Sequence, residues 1–224
     1  MTDTTDTTDT TDVPDTSERT LGKQSPVKPT LTFWSLKNDC AFFIESQLEL
    51  HFALQLEFDD NVKSYETQPF KTTYSVSGKK RTYTPDFAVV NLNNETFIIE
   101  VKPYRKTKSE AFQVKTKALR VHFQRENSTY LIFTENEIRD NDTSANQQIL
   151  YPWRFEPKPG DELDLLTSYF HNGSASVIEL QIQALELDLD KNLPVIALAH
   201  GLVECDLSQS LSDSSEIFWK ATQH

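Results

Sequence analysis

The sequence predicts an α/β chain: a mixed sheet flanked by helices, followed by a small domain of helices and a closing hairpin. Three observations carry this. In the middle of the chain, apolar residues recur first at helical spacing, then in short strand-like runs bounded by turn residues, then at helical spacing again. The apolar run Tyr130-Leu131-Ile132-Phe133 follows that second helical segment, which gives strand, helix, strand. Beyond Tyr151, Pro152, Pro157, Pro159 and Gly160 interrupt the chain and the charge shifts, placing a boundary near residue 155. The expected organisation is a tail over 1–29, a first domain over 30–155 and a second over 156–224. With 224 residues, 37% of them hydrophobic and including 14 Phe, the chain has material for a real core.

The opening MTDTTDTTDTTDVPD is a three-residue Thr/Asp repeat with too little apolar surface to offset chain entropy, so 1–29 is expected to be mostly disordered. From Phe33 the composition becomes globular. Cys40–Ile44 reads as a short buried strand, and Ser46 with Glu49 three residues on has the form of a capping box. Leu48, Phe52 and Leu56 then have helical spacing, predicting a helix from Gln47 to near Phe58. Strands follow around 72–76, 81–92 and 96–102, with turns at Ser77-Gly78 and Asn93-Asn94, which together read as an antiparallel meander. Residues 108–125 read as a helix with Phe112, Leu119 and Phe123 on one face and bases largely on the other. The strand at 130–133 closes a crossover unit expected to be right-handed. In the last domain, 175–187 and 193–200 look helical, while 201–206 and 215–219 look like two strands, an order that suggests a winged-helix-like unit.

The net charge of −12 taken whole argues against a nucleic-acid binder, but its distribution does not. Residues 1–30 hold six acids and three bases, residues 31–155 hold 16 of each, and residues 156–224 hold 12 acids and three bases. Within the neutral middle, residues 102–125 carry eight bases against Glu110 alone. Five glycines leave no glycine-rich phosphate loop, two cysteines (Cys40 and Cys205) make no disulfide framework or CxxC zinc site, and the five histidines form no ligand spacing. Any metal would be held by oxygen. No apolar stretch approaches a membrane span and the N-terminus is no signal peptide, so the cytoplasm is the expected compartment.

Chemistry concentrates in Thr84-Pro85-Asp86-Phe87 and, 14 residues after Asp86, Glu100-Val101-Lys102. Alternation on a strand sends Glu100 and Lys102 one way and Ile99 and Val101 the other, so an Asp, a Glu and a Lys converge at the end of a hairpin. Two carboxylates suit a hard cation such as Mg²⁺, and a lysine beside them orients or deprotonates a water. Either element alone is commonly just a solvated face. Both, however, adjoin apolar runs in a sheet, where carboxylates are depleted.

This P-D…E-x-K pattern with an upstream helical glutamate resembles the restriction-endonuclease-like nucleases of the PD-(D/E)xK superfamily. The surrounding text, Ser46-Gln47-Leu48-Glu49, Leu56-Glu57-Phe58-Asp59, Gln68-Pro69, Tyr83-Thr84-Pro85-Asp86-Phe87 and Ile99-Glu100-Val101-Lys102-Pro103, resembles TnsA, the endonuclease subunit of heteromeric cut-and-paste transposases. The likeness is close over 33–135 and loose beyond. It implies a restriction-endonuclease-like catalytic domain and a Mg²⁺ site, with Mn²⁺ as a substitute, built from Glu49, Asp86, Glu100 and the Val101 carbonyl, with Lys102 as the catalytic lysine. Glu49 also completes a capping box and needs no metal to stand there; both readings remain.

The resemblance further implies cleavage of the 5′ strands at transposon-end DNA in a bacterial cytoplasm. A DDE transposase subunit (TnsB-like) would act on the 3′ ends, and an AAA+ ATPase (TnsC-like) would contact the acidic C-terminal domain. Arg105 and Lys106, with Lys115, Lys117 and Arg120, are candidate phosphate contacts, although for the latter three an ordinary solvated helix face explains the charge equally. Two other functions fit the same residues: an assembly adaptor on a nuclease fold, and a free-standing restriction or repair nuclease.

Overall fold

A four-stranded mixed sheet organises the first part of the chain, and its strands are rich in aromatic and β-branched residues that suit a pleated, covered surface. The computed structural model describes residues 31–138, 142–170 and 173–219; the tail read as disordered at 1–29 lies outside the described residues. A hairpin of β1 (Leu31–Ser35) and β2 (Cys40–Ile44) leads into α1 (Gln47–Phe58) and then β3 (Val62–Thr67). A second hairpin, β4 (Thr72–Val76) and β5 (Lys79–Tyr83), precedes β6 (Phe87–Asn91) and β7 (Thr96–Val101). After a single turn, α2 (Tyr104–Thr107), come α3 (Glu110–Arg125) and β8 (Thr129–Phe133). The sheet order is β3-β6-β7-β8, antiparallel except for the parallel pair β7 and β8 that α3 connects. A mixed sheet flanked by helices is the restriction-endonuclease-like architecture.

Both faces of this sheet are covered. On one side Phe87, Val89, Ile99 and Val101 pack with Phe52, Leu56 and Leu48 of α1. On the other, Ile98 and Tyr130 pack with Leu119 and Phe123 of α3 and with Tyr74 and Tyr83 of the β4–β5 hairpin. Leu119 and Phe123 are fully buried, so each contributes roughly 1.5–3 kcal/mol of transfer free energy.

Several expectations need correction. The antiparallel meander is two separate sheets, because the stretch read as one strand over 81–92 breaks at Thr84-Pro85-Asp86. Pro85 has no N–H for a ladder, and the break sends β5 to the hairpin and β6 to the main sheet. Strand β3 was not anticipated: in VKSYET the buried residues Val62 and Tyr65 stand three apart, because the register shifts between Val62 and Ser64, so the period of a strand is absent. β2 stands where expected, yet it is half-exposed rather than buried, with Phe43 66% accessible. The Ser77-Gly78 turn holds: both residues have positive φ, 47° and 71°, as a two-residue hairpin of primed type requires.

The rest of the chain begins with α4 (Glu135–Ile138), α5 (Thr143–Leu150) and a 3-10 turn at Tyr151–Phe155. It continues through α6 (Glu162–Thr167), β9 (Ser174–Ser176), α7 (Val177–Glu186), α8 (Leu193–Ala199), β10 (Val203–Cys205) and β11 (Glu216–Trp219). The last three strands form a sheet in the order β10-β11-β9. The helix expected to start at Ala175 starts instead at Val177, because Ser176 is its N-cap in a complete capping box with Glu179, and the preceding residues pair with β11. The core of this part includes Leu150 and is flanked by Trp153 and Phe58, so it reaches back across the Pro-rich segment toward α1.

Candidate active site

Asp86 stands at the entrance of β6, directly after the break. Its backbone is held from two sides: its N–H donates to the Ile99 carbonyl (3.1 Å), and its carbonyl accepts from the N–H of Gln68 (3.0 Å). Gln68 itself has a left-handed φ of 46° and donates through Nε2 to Glu45 (2.8 Å), so it links the Asp86 backbone to the segment ahead of α1. The Asp86 carboxylate accepts from the Val101 N–H at 2.8 Å. Val101 thus enters the site through its amide, and its side chain is buried in the α1-facing core.

Glu100 is 2% exposed, one residue before the end of a strand covered on both faces. The reading that Glu100 and Lys102 share a side opposite Ile99 and Val101 holds. The side they share is a second apolar core, and Glu100 survives there because its carboxylate is fully engaged. Tyr83 donates to Oε2 at 2.6 Å, Lys102 Nζ lies 3.2 Å from Oε1, and Lys115 Nζ reaches both oxygens at 3.0 and 3.2 Å. Lys102 also lies 3.8 Å from Asp86 Oδ2, so one ammonium bridges the two carboxylates.

The electrostatics follow from this layout. Burial pushes the Asp86 carboxyl up to about 6; Lys102 and the Val101 amide pull against that, while the charges of Glu100 and Glu49 add to it. Burial also opposes ionisation of Glu100, but Lys102, the Tyr83 hydroxyl and Lys115 together outweigh it and hold Glu100 below its ordinary value. Burial lowers Lys102, and Asp86 and Glu100 more than reverse this. Asp86 and Glu100 therefore differ in acidity: at neutral pH Glu100 is firmly ionised and Asp86 is close to its titration.

Of the predicted site residues, the structure brings together Asp86, Glu100 and Lys102, and Val101, expected through its carbonyl, meets Asp86 through its N–H. Glu49 is near enough for its charge to act on Asp86 and Lys102, but its carboxylate is spent at the start of α1, accepting from Ser46 Oγ (2.8 Å) and from the Glu45 N–H (3.1 Å). Among the described residues no three His, Cys, Asp or Glu side chains are grouped to hold a metal, so the expected Glu49-Asp86-Glu100 triad is not assembled in this state. The donor set itself fits a hard cation: Asp86 Oδ2 and Glu100 Oε1 already converge on one positive charge, the Lys102 ammonium.

Lys115 needs the largest reassignment. A candidate phosphate contact for which an ordinary solvated helix face served equally well, it turns inward here to Glu100 with its ammonium 4.6 Å from the Tyr83 ring centre. Arg105, Lys106, Lys117 and Arg120 are exposed, as a phosphate-facing set must be. Tyr83 was not singled out as a partner of Glu100, and its place beside Pro85 and the motif is the signal that pointed to it.

Among the described residues no helix is long and apolar enough to cross a membrane. No curated protein matches the chain. Residues 59–135 match the family model described as TnsA-like endonuclease N terminal, a segment that contains Asp86, Glu100, Lys102 and Lys115, while Glu49 lies ahead of it. Over residues 59–135 the chain is therefore similar to the N-terminal domain of TnsA-like endonucleases.

Proposed function

We propose that the protein is the metal-dependent DNA endonuclease subunit of a heteromeric cut-and-paste transposase and cuts the 5′ strands at transposon ends. The observation that carries this reading is the bridging of Asp86 and Glu100 by Lys102 inside the matched segment. Asp86 and Glu100 would hold Mg²⁺ or Mn²⁺, with Glu49 joining them if it leaves its cap. The ion would supply an acidified water and neutralise charge on the scissile phosphate. Lys102 then holds that water in line and offsets the negative charge that builds on the phosphate oxygens. Arg105, Lys106, Lys117 and Arg120 give sequence-independent hold on the DNA backbone.

The C-terminal part follows the order helix, strand, helix, helix, strand, strand, which supports the winged-helix-like reading. With 12 acids against three bases over 156–224, it suits a protein surface, here the AAA+ ATPase, better than DNA. The DDE transposase subunit would process the 3′ ends. Cleavage assays on transposon-end DNA test this directly. Partner-dependent nicking of the 5′ strand is expected; nicking by the protein alone would point to a free-standing nuclease, and assembly without nicking to an adaptor.

Metal linkage gives an independent check. Because Asp86 and Glu100 repel each other, Mn²⁺ should raise the melting temperature relative to EDTA by mass action, saturably, in the full chain. Superimposable melts from a preparation that cuts DNA would remove the two carboxylates as metal ligands.

A further inference from the structure

The Glu100 carboxylate has no free position. Oε1 takes Lys102 and Lys115, and Oε2 takes Tyr83 and Lys115, which fills the acceptor capacity of a buried carboxylate. A divalent cation can reach Glu100 only if one of these groups leaves. Tyr83 is buried in the α3-facing core, and Lys102 is held by both carboxylates. Lys115 bonds Glu100 alone among the site carboxylates and is borne by the surface helix α3, with 29% of its side chain exposed. It also lines an open depression with Tyr74, Val76, Arg81, Glu110 and Val114, so a DNA phosphate entering there meets the Lys115 ammonium and the exposed Arg81 together.

We propose that Lys115 is a positioning residue that couples DNA binding to metal binding: it neutralises Glu100 in the free protein and transfers to a backbone phosphate when DNA docks, releasing Glu100 for the ion. This rests on the nuclease reading above. The exchange replaces one ion pair of Lys115 by another, so it costs the lysine little, while Glu100 passes from an ammonium to a divalent charge. Coupling of this kind is reciprocal: DNA tightens the ion and the ion tightens DNA by the same factor. A site arranged in this way binds free metal weakly and tightens on it when substrate is present, which restrains cutting away from engaged DNA.

The test is isothermal titration of Mn²⁺ into the full chain, alone and with a short phosphorothioate duplex that resists cleavage. Removing a cation bonded to both oxygens of Glu100 should tighten Mn²⁺ in the DNA-free Lys115→Met protein by about tenfold or more, close to the DNA-bound wild type. The duplex should tighten Mn²⁺ in the wild type and have little further effect in the variant, while Lys115→Arg keeps the wild-type pattern. Lys115→Gln supplies the same comparison should Lys115→Met melt early, and Glu100→Gln identifies the ion's ligand by abolishing binding. Unchanged Mn²⁺ affinity in both Lys115→Met and Lys115→Gln, or a duplex that leaves wild-type Mn²⁺ affinity unmoved, overturns the coupling alone. A wild type that binds no Mn²⁺ with or without DNA overturns the metal-site reading and the coupling with it.

Discussion

Asp86→Asn should abolish strand cleavage and, at pH 8, make the protein more stable. The two effects share one cause. Burial holds the Asp86 carboxyl near 6 against an ordinary value of 3.8, so above that pH its charge is carried at a cost that the unfolded chain does not bear. Between about pH 4 and 6 the folded state binds a proton that the unfolded state has released, and stability therefore falls as pH rises through this window. Asparagine keeps the shape and an oxygen for the Val101 N–H but carries no charge. A gain on the order of 2 kcal/mol at pH 8 is expected, vanishing toward pH 4, and readable as a flattened pH dependence of urea unfolding.

Cleavage should fall by several orders of magnitude, as when a metal that generates the nucleophile loses a ligand. Lys102→Ala should match it in activity but not in stability, since it leaves the Asp86 carboxylate without its ammonium partner beside Glu100. If separate subunits cut the two strands, both variants should shift transposition products from simple insertions to cointegrates, which long-read sequencing counts directly. Simple insertions at full frequency from either variant would refute the nuclease assignment.

Glu57→Ala should lower stability more than any substitution at the site. Glu57 is 1% exposed, and its Oε1 accepts from Ser35 Oγ and from the Tyr65 hydroxyl, each at 2.5 Å, while Oε2 accepts from the Lys37 N–H at 3.3 Å. These bonds tie the β1–β2 hairpin to α1 and β3. The neighbouring Glu57 carbonyl accepts from Arg154 Nη1 at 2.7 Å, which adds the 3-10 turn to the same cluster. Burial, followed by the charge of Glu57, pushes the Tyr65 hydroxyl up, so it stays protonated and remains a donor. Alanine leaves that hydroxyl and Ser35 buried without an acceptor and opens a cavity. A loss of about 3–5 kcal/mol is expected, a fall of roughly 6 to 20 °C in melting temperature for a chain of this size. Glu57→Gln, which keeps an acceptor, should lose less. Equal losses from the two would mean that the carboxylate's hydrogen bonds are not what clamps the hairpin.

What could be read from the sequence followed the strength of local signals. Helix α1 was legible to the residue because Ser46 caps it and Leu48, Phe52 and Leu56 keep strict spacing. Helix α3 and its parallel strand β8 were legible for the same reason. Asp86, Glu100 and Lys102 were found because carboxylates beside apolar strand runs are anomalous. The inward turn of Lys115 was not legible because a helical period assigns a face without saying what that face opposes, and its partner Glu100 belongs to a strand 15 residues away. Tyr83 and Glu57 stood in the motif text without an assigned partner, since burial by long-range packing leaves no mark in a short window. The break at Thr84-Pro85-Asp86 was visible as a proline but not as a change of sheet, which depends on pairing partners rather than on the segment itself.

Burial of β7 on both faces has a consequence for how the chain reaches its native pairing. A slip of one residue in the β7–β8 register would rotate Glu100, and Lys102 with it, away from Tyr83 and Lys115 and into the α1-facing core of Phe52, Leu56 and Val89. An all-apolar strand would tolerate either register almost equally. The buried Glu100 carboxylate thus disfavours the misaligned sheet, so the same charge that shapes the site also helps to fix the strand register.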